Sequence, residues 1–280
     1  MSSHIFFDGK VIPFEEARVS PDDLGILRGF AVYEGITSFN GIPFHFHDHW
    51  VRLLNSASAL SLTVPLTEEE AYQGAVDVIA KNAGSDRANL RVILSGGPAE
   101  GGIEYVPSRS LFYIMAERAV PLPANLYTDG ASLITHEHER FMPEFKTTTY
   151  ITAVNLQKAR KDAGAIEILY TSGDRVLECA TSNICIVKNG VVITPSQGVL
   201  KGITRAVVLG LAKGIVTVEE RPLTVSELYD ADEIFITSSF KDIVPIVKID
   251  GMEVAGGTVG PVTKELIDMF RKSTNSQVTL

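Results

Sequence analysis

The chain has 280 residues, 45% of them hydrophobic and 21% charged, with a formal net charge of −9. That length and apolar content suffice for one large domain or two modest ones and exclude a disordered chain. The acidic balance argues against nucleic acid or an anionic membrane as the main partner, and no apolar run approaches the length of a membrane span.

The first elements are hairpins. Ile5 to Phe14 turns at Asp8-Gly9, and Ala31 to Phe46 turns at Asn40-Gly41; both dipeptides favour two-residue turns. A helix is predicted from about Asp48 to Leu60, with Trp50, Leu53, Leu54, Ala57 and Leu60 at helical spacing and Arg52 in its first turn, off that stripe. Thr67 and Glu70 form a capping-box pattern for a helix ending near Asn82. Strands are predicted at Leu90 to Ser95 and Leu111 to Ala116. The Gly- and Pro-rich stretch 96–110 between them reads as a surface loop that could cover a site. Residues 120–125, within AVPLPAN, are the candidate linker. They separate a small N-terminal α+β domain (1–119) from a larger C-terminal one (126–280).

The second half opens on a strand at Ala131 to His138, followed by a helix from Tyr150 to Asp162. Ile166 to Tyr170, Val176 to Val187 and Val191 to Thr194 read as a meander, with turns at 172–174 and Asn189-Gly190. A helix begins near Ile203, strands follow at Glu233 to Ser238 and Val244 to Ile249, and a helix runs from Val262 to Lys272. Tight turns between strands, with helices in separate blocks, predict α+β rather than a doubly wound parallel sheet. Cys179 and Cys185 fall on one predicted strand, too far apart along it to bridge. With no signal-peptide pattern in MSSHIFFDGK, the expectation is a cytoplasmic protein.

Four features could carry chemistry. Lys146, in PEFKTTTY, lies where strands give way to a helix. A lysine there is most often a solvated surface residue; the alternative is a carbonyl-binding amine, which needs burial and a lowered pKa. Glu178, in RVLECATSNICIV, is a carboxylate inside an apolar strand pattern and needs a partner, either a structural cation or a cofactor's protonated ring nitrogen. In LKGITR (200–205), Gly202 precedes a helix whose first N–H groups could face an anion, with Thr204 adding a hydroxyl. Ser238-Ser239 is a similar hydroxyl cluster, and Arg52 could clamp the same phosphate. The fourth feature is His45, His47 and His49, with His136 and His138 elsewhere. Strand period would align the first three for a metal, but a helix start near Asp48 breaks that face and no zinc motif supports it.

Taken in order, RGFAVYEGI (28–36), HWVRL (49–53), KTTTY (146–150), ECATSN (178–183), LKGITR (200–205) and FITSSFKDIVPI (235–246) resemble the class IV, or fold type IV, pyridoxal-phosphate enzymes. The resemblance covers nearly the whole chain. It implies two α+β domains with the active site in the cleft between them, pyridoxal 5'-phosphate as cofactor, and a homodimer. Lys146 would be the Schiff-base lysine and proton shuttle, and Glu178 the partner of the pyridinium nitrogen. Tyr150 would bond the phenolic oxygen, and Leu200 would pack on the ring. Arg52, Ile203 through its backbone, Thr204 and Ser239 would hold the phosphate. Gly202, Ser238, Ser182 and Asn183, from the same motifs, complete the cofactor set.

The resemblance also frames the substrates, an amino acid and a keto acid. Common D-amino-acid transaminases carry an Arg-x-His pair in the loop after the Leu90 strand; GGPAEGGIEYVPSRS has none. Arg28, in GILRGFAV, and Arg91, in NLRVILSGG, sit among apolar residues, where burial would demand an anion: an internal carboxylate, or a substrate carboxylate held by both. Tyr33 matches a pocket aromatic of the family. A less common, two-arginine group of D-amino-acid transaminases is similar and is the favoured reading. A branched-chain L-aminotransferase, which shares Arg91 and Glu34-Gly35-Ile36, and an aminodeoxychorismate lyase are the alternatives.

Overall fold

The computed structural model describes residues 2–276. The chain divides into two compact units: residues up to Val120 together with Phe145–Thr149, and Pro121–Glu144 together with Tyr150 onward. A split at residues 120–125 alone would leave Phe145–Thr149 in the second domain. The backbone puts this segment in the first unit instead, because it pairs with a strand there: Tyr33 N–H donates to Lys146 O (2.9 Å) and Thr148 N–H to Ala31 O (3.1 Å).

The first unit contains β1 (His4–Phe7), β2 (Lys10–Pro13), α1 (Leu24–Arg28), β3 (Ala31–Phe39), β4 (Ile42–Pro43), α2 (Phe46–Ala59), α3 (Glu68–Asn82), β5 (Ala88–Ser95) and β6 (Leu111–Arg118). The strands form one sheet in the order β2-β1-β6-β5-β3-β4, antiparallel at every pairing. Both predicted turns form, with Asp8, Gly9, Asn40 and Gly41 all at positive φ. Alternation then sends Val32, Ile36, Leu90, Val92, Leu94, Phe112 and Ile114 to one face. There they pack with Trp50, Leu53 and Ala57 of α2 and Val78 and Ile79 of α3. The Thr67–Glu70 capping box forms as read.

Two details of α2 differ from the sequence reading. The helix starts at Phe46, so Arg52 lies in its second turn. Leu54 is exposed, since it follows the inward Leu53 by about 100° around the helix.

The second unit contains α4 (Asn125–Thr128), β7 (Ala131–Glu137), α5 (Ile151–Asn155), α6 (Gln157–Asp162), β8 (Glu167–Ser172), β9 (Arg175–Cys179), β10 (Asn183–Lys188), β11 (Val191–Thr194), α7 (Ile203–Ala212), β12 (Thr217–Glu220), β13 (Leu223–Thr224), α8 (Val225–Tyr229), β14 (Glu233–Ser238), β15 (Asp242–Ile249), β16 (Met252–Glu253) and α9 (Pro261–Ser276). Its sheet runs β12-β11-β10-β14-β15-β7-β8-β9-β13, with β16 on β15. Most pairings are antiparallel, but β7 runs parallel to both β15 and β8, and β11 to β12. α7 and α9 pack on β14.

The single helix predicted over 150–162 breaks at Leu156 into α5 and α6. The strand predicted over 176–187 is two strands. A turn at Ala180–Ser182, closed by Cys179 N–H to Ser182 O (2.8 Å), carries the chain off β8 so that β10 pairs with β14. Cys179 and Cys185 therefore lie on different strands, both free and buried. Among the described residues no helix is long and apolar enough to cross a membrane.

Candidate active site

Lys146 is held by its backbone. Its N–H donates to Ser56 Oγ (3.0 Å), a hydroxyl on α2 that is itself buried, and its carbonyl caps the pairing with Tyr33. The side chain is partly buried rather than sealed, and Nζ lies 4.5 Å from the centre of the Tyr33 ring. An aromatic face stabilises the ammonium and shields one side of the amine. Next to it, Thr147 is buried and its hydroxyl finds no hydrogen-bond partner among the described residues.

In the same unit Arg52 meets two residues that sequence reading did not place. Glu34, on the core-facing side of β3, is 1% exposed. It accepts from Arg52 Nε (2.8 Å) and Nη2 (2.6 Å), and from His49 Nδ1 (2.7 Å). Burial by itself would push the Glu34 carboxyl up. The Arg52 guanidinium, with its hydrogen bonds and those of His49, overcomes burial and holds the group down at about 2. Burial is also the largest influence on His49 and lowers its pKa despite the carboxylate. The imidazole is therefore neutral near pH 7 and donates through Nδ1, since an ionised carboxylate only accepts. A fork–fork contact of this kind fixes the plane of the guanidinium.

The two substrate-arginine candidates differ in setting. Arg28 ends α1 exposed to solvent, with Nη1 donating to Leu27 O (2.9 Å). It lines a pocket of about 270 Å³ with Leu24, Phe30, Ile103 and Tyr105. The burial penalty expected from its apolar neighbours is absent, because Ile26 and Leu27 are exposed too. Arg91 is half-exposed on β5 and pairs with Glu117 at 2.6 Å. That corrects the expectation of a buried cation and supplies the internal carboxylate that was one of its two readings.

In the second unit Glu178 is the penultimate residue of β9, at 4% exposure. Oε1 accepts from Arg140 Nη1 (3.0 Å); Oε2 accepts from the Leu200 N–H (3.1 Å) and from Asn183 Nδ2 (3.3 Å). Asn183 also donates to Leu200 O (2.8 Å), which ties the carboxylate to the LKGITR segment. The Arg140 guanidinium lies 5.2 Å from the Tyr150 ring centre. Ser182, expected at the cofactor, instead donates to Glu167 Oε1 (3.1 Å), and Lys241 Nζ reaches that same oxygen at 2.8 Å.

The anion-binding reading of α7 gains three observations. Gly202 is its N-cap and makes no side-chain cap, so the first-turn N–H groups of Ile203 and Thr204 lack that partner. A Cβ at Gly202 would come within 2.0 Å of Asn183 Oδ1, so only glycine brings the helix this close to the Glu178 support. On β14, Thr237 Oγ1 and Ser238 Oγ are buried with no hydrogen-bond partner among the described residues. Ser239 follows in the turn, and Leu200 is buried. Unmet donors at a helix N-terminus beside unmet hydroxyls suit a phosphate.

Of the missed residues, Glu34 carried a signal: it is a carboxylate in an apolar strand, AVYEGI, which is the pattern that singled out Glu178. Arg140, in the polar run HEHER, carried none.

The second unit offers an uncapped helix N-terminus, unmet hydroxyls and a braced carboxylate, and the first a lysine and a braced arginine; each set is of the kind that serves a phosphate-bearing ligand. Residues 31–249 match the amino-transferase class IV family, and the chain belongs to it. It is 37% identical over 282 residues to a putative branched-chain-amino-acid aminotransferase of Methanocaldococcus jannaschii, covering 95% of each chain. It is 30% identical to a D-alanine aminotransferase of Listeria monocytogenes, covering 95% of this chain and 94% of that one. Among solved structures, the Escherichia coli branched-chain aminotransferase superposes with a TM-score of 0.89 at 26% identity, covering 97% of this chain and 94% of that one. A branched-chain aminotransferase from T.th., solved with pyridoxamine 5'-phosphate, gives 0.90 at 26%, covering 98% and 94%. The fold is therefore type IV and the cofactor pyridoxal 5'-phosphate. The unpartnered hydroxyls, the uncapped helix and the braced carboxylate fit its phosphate and its ring nitrogen.

Proposed function

We propose that this aminotransferase is a D-amino-acid transaminase, moving an amino group between a D-amino acid such as D-alanine or D-glutamate and a 2-keto acid such as 2-oxoglutarate or pyruvate. When bound, pyridoxal phosphate supplies an electron sink that weakens the substrate's α-carbon–hydrogen bond. Lys146 would hold the cofactor through Nζ, and its amine would serve to move the substrate's α-proton. Glu178 keeps a proton on the ring nitrogen, and Tyr150 bonds the phenolic oxygen. Arg52, the N–H of Ile203, Thr204 and Ser239 hold the phosphate, with Gly202 and Ser238 shaping that end. Tyr33 shields the amine, and Arg28 and Arg91 receive the substrate carboxylate. The same reading takes the enzyme to be a homodimer, as its resemblance implies, and cytoplasmic, as its free cysteines and N-terminal sequence suggest.

The observation that carries the specificity is Arg28, an exposed guanidinium lining a largely apolar pocket. It offers a bidentate carboxylate receptor in a chain whose 96–110 loop lacks the Arg-x-His pair. The second reading, a branched-chain L-aminotransferase, is favoured by the Methanocaldococcus jannaschii relative at 37% identity. Absorbance of the purified holoenzyme separates them. Loss of the visible band with D-alanine or D-glutamate alone supports the first reading. Loss with L-leucine supports the second, and no visible band in folded protein given cofactor overturns the role of Lys146.

A further inference from the structure

Glu167 and Lys241, both in the second unit, form an ion pair that none of these roles uses. Glu167 is the first residue of β8 and is buried; Lys241 lies in the turn between β14 and β15 with 17% of its side chain exposed. Lys241 Nζ donates to Glu167 Oε1 (2.8 Å), Thr181 Oγ1 (2.8 Å) and Ser182 Oγ (3.2 Å). Those three contacts match the three protons of the ammonium. Thr181 Oγ1 and Ser182 Oγ donate in turn to the same Glu167 oxygen, so the four side chains interlock. Burial pushes the Glu167 carboxyl up, but the Lys241 ammonium and the two hydroxyls outweigh it and hold the group below its ordinary range.

The network joins two turns that carry candidate cofactor residues. Thr181 and Ser182 belong to the turn that separates Glu178 from Asn183, and Lys241 to the turn that follows Ser238 and Ser239. Strands β10 and β14 pair from Val187–Glu233 to Asn183–Thr237, so the ladder stops where both turns begin. Beyond it the Lys241 ammonium spans from one turn to the other, while Tyr127 Oη donates to the Lys241 carbonyl (3.2 Å) and holds its backbone. Stability alone does not explain the pair. Taking two charges out of water offsets their attraction, and apolar side chains of similar volume often serve as well. An apolar pair, however, makes no directed bonds to two hydroxyls and so cannot fix how far apart the two turns stand.

We infer that Lys241 and Glu167 are positioning residues whose network locks the Glu178 turn to the Ser238-Ser239 turn, and so fixes the separation between the ring-nitrogen carboxylate and the phosphate hydroxyls. This rests on the assignment of Glu178 and Ser239 to the cofactor above. The test titrates the whole chain with pyridoxal phosphate and with pyridoxal, which lacks the phosphate and engages the ring end alone. The main variant is Lys241→Met/Glu167→Gln, which removes both charges and leaves neither buried without its partner. Its affinity for pyridoxal phosphate should fall roughly tenfold, within the range of contacts in one hydrogen-bond network, and its affinity for pyridoxal should hold within about twofold. Thr181→Val, which removes one exposed contact of the network, should show the same selective loss at about threefold. Lower thermal stability with an intact preference for pyridoxal phosphate over pyridoxal would make the pair structural and overturn the inference. Equal loss for both ligands would overturn it too, since only the ring end would have moved. Where the double variant does not fold, Thr181→Val decides, and an unchanged preference there overturns the inference. Ser239→Ala tests the underlying assignment: if it keeps the preference, the phosphate reading fails first and this inference falls with it. If Ser239→Ala loses the preference and the double variant keeps it, only the inference falls.

Discussion

Glu34 with Arg52 in the first unit, and Glu178 with Arg140 in the second, are both buried carboxylate–guanidinium pairs, yet their support differs. Glu34 takes two bonds from Arg52 and one from His49, with 1% of its surface exposed while the arginine side chain keeps 12%. Glu178 takes one bond from Arg140 and two more from Leu200 and Asn183, and its partner is as buried as it is. In the first pair the carboxylate is spent on holding the arginine. In the second the arginine is one of three donors orienting the carboxylate. One ion-pair chemistry therefore braces a guanidinium through a two-point contact in one unit and orients a carboxylate through three separate donors in the other. Removing one member of a buried pair leaves a charge uncompensated, so both pairs are sensitive sites.

The contrast is sharpest in a pair of isosteric changes. Glu178→Gln keeps the shape but cannot hold a proton on a ring nitrogen. We expect kcat to fall by about 10²–10⁴-fold, the range of a lost proton-holding group, while cofactor affinity changes little. Steady-state rates and cofactor titration of one preparation check this. Equal losses in both would make Glu178 a structural residue.

Acid stability reports on the first pair. The unfolded Glu34 carboxyl titrates near its ordinary 4.5, the folded one at about 2. The folded state thus binds fewer protons between those values, and stability present above pH 4.5 is lost as pH falls toward 2. The contribution is on the order of 3 kcal/mol. His49, held below its ordinary 6.5 chiefly by burial, acts with the same sign and begins to lose its share below that pH. Denaturant unfolding between pH 7 and pH 3 should show this slope in the wild type and a shallower one in Glu34→Gln.

The same variant serves a third measurement. Glutamine offers Arg52 one oxygen and an amide that faces its donors, so the guanidinium loses its fixed plane. Loss of such a supporting contact typically costs about 10–100-fold in affinity. We expect that loss for pyridoxal phosphate and none for pyridoxal, which lacks the phosphate. Equal loss for both would place the effect elsewhere in the unit.

Much of this was legible in the sequence, for definite reasons. The hairpins were written in Asp8-Gly9 and Asn40-Gly41, and α3 in Thr67 and Glu70, because each depends only on neighbours in the chain. A boundary read from composition at 120–125 cannot place Phe145–Thr149 in the first unit, because the segment joins β3 by hydrogen bonds to residues more than a hundred positions away. The turn at Ala180–Ser182 was hidden by flanking strands apolar enough to read as one. Of the candidate site, Glu178 stands out as a charge in an apolar strand, whereas Lys146, in the polar segment PEFKTTTY, stands out only through its place between strand and helix and its match to the family's motif. Arg140 could not, since a charge in a polar run shows nothing until the fold buries it. Arg28 erred in the other direction: its apolar neighbours Ile26 and Leu27 suggested burial, but α1 turns them to solvent.

The three alternating histidines give the smallest expected effect. On a strand, His45, His47 and His49 would share a face. The backbone instead enters α2 at Phe46, with His45 as the N-cap at φ 51°, and successive helical residues then diverge by about 100°. His45 pairs with Asp48, and His47, with 73% of its side chain exposed, pairs with Glu68, while of the three only His49 reaches the core and Glu34. An exposed pair of this kind is worth well under about 1 kcal/mol. His47→Ala should therefore leave unfolding free energy within about 0.5 kcal/mol of wild type and cofactor affinity unchanged. His49→Ala, which strips a buried donor from Glu34, should lower both. A His47 effect as large as that of His49 would mean the three side chains act together, and the face drawn from strand period would have to be reconsidered.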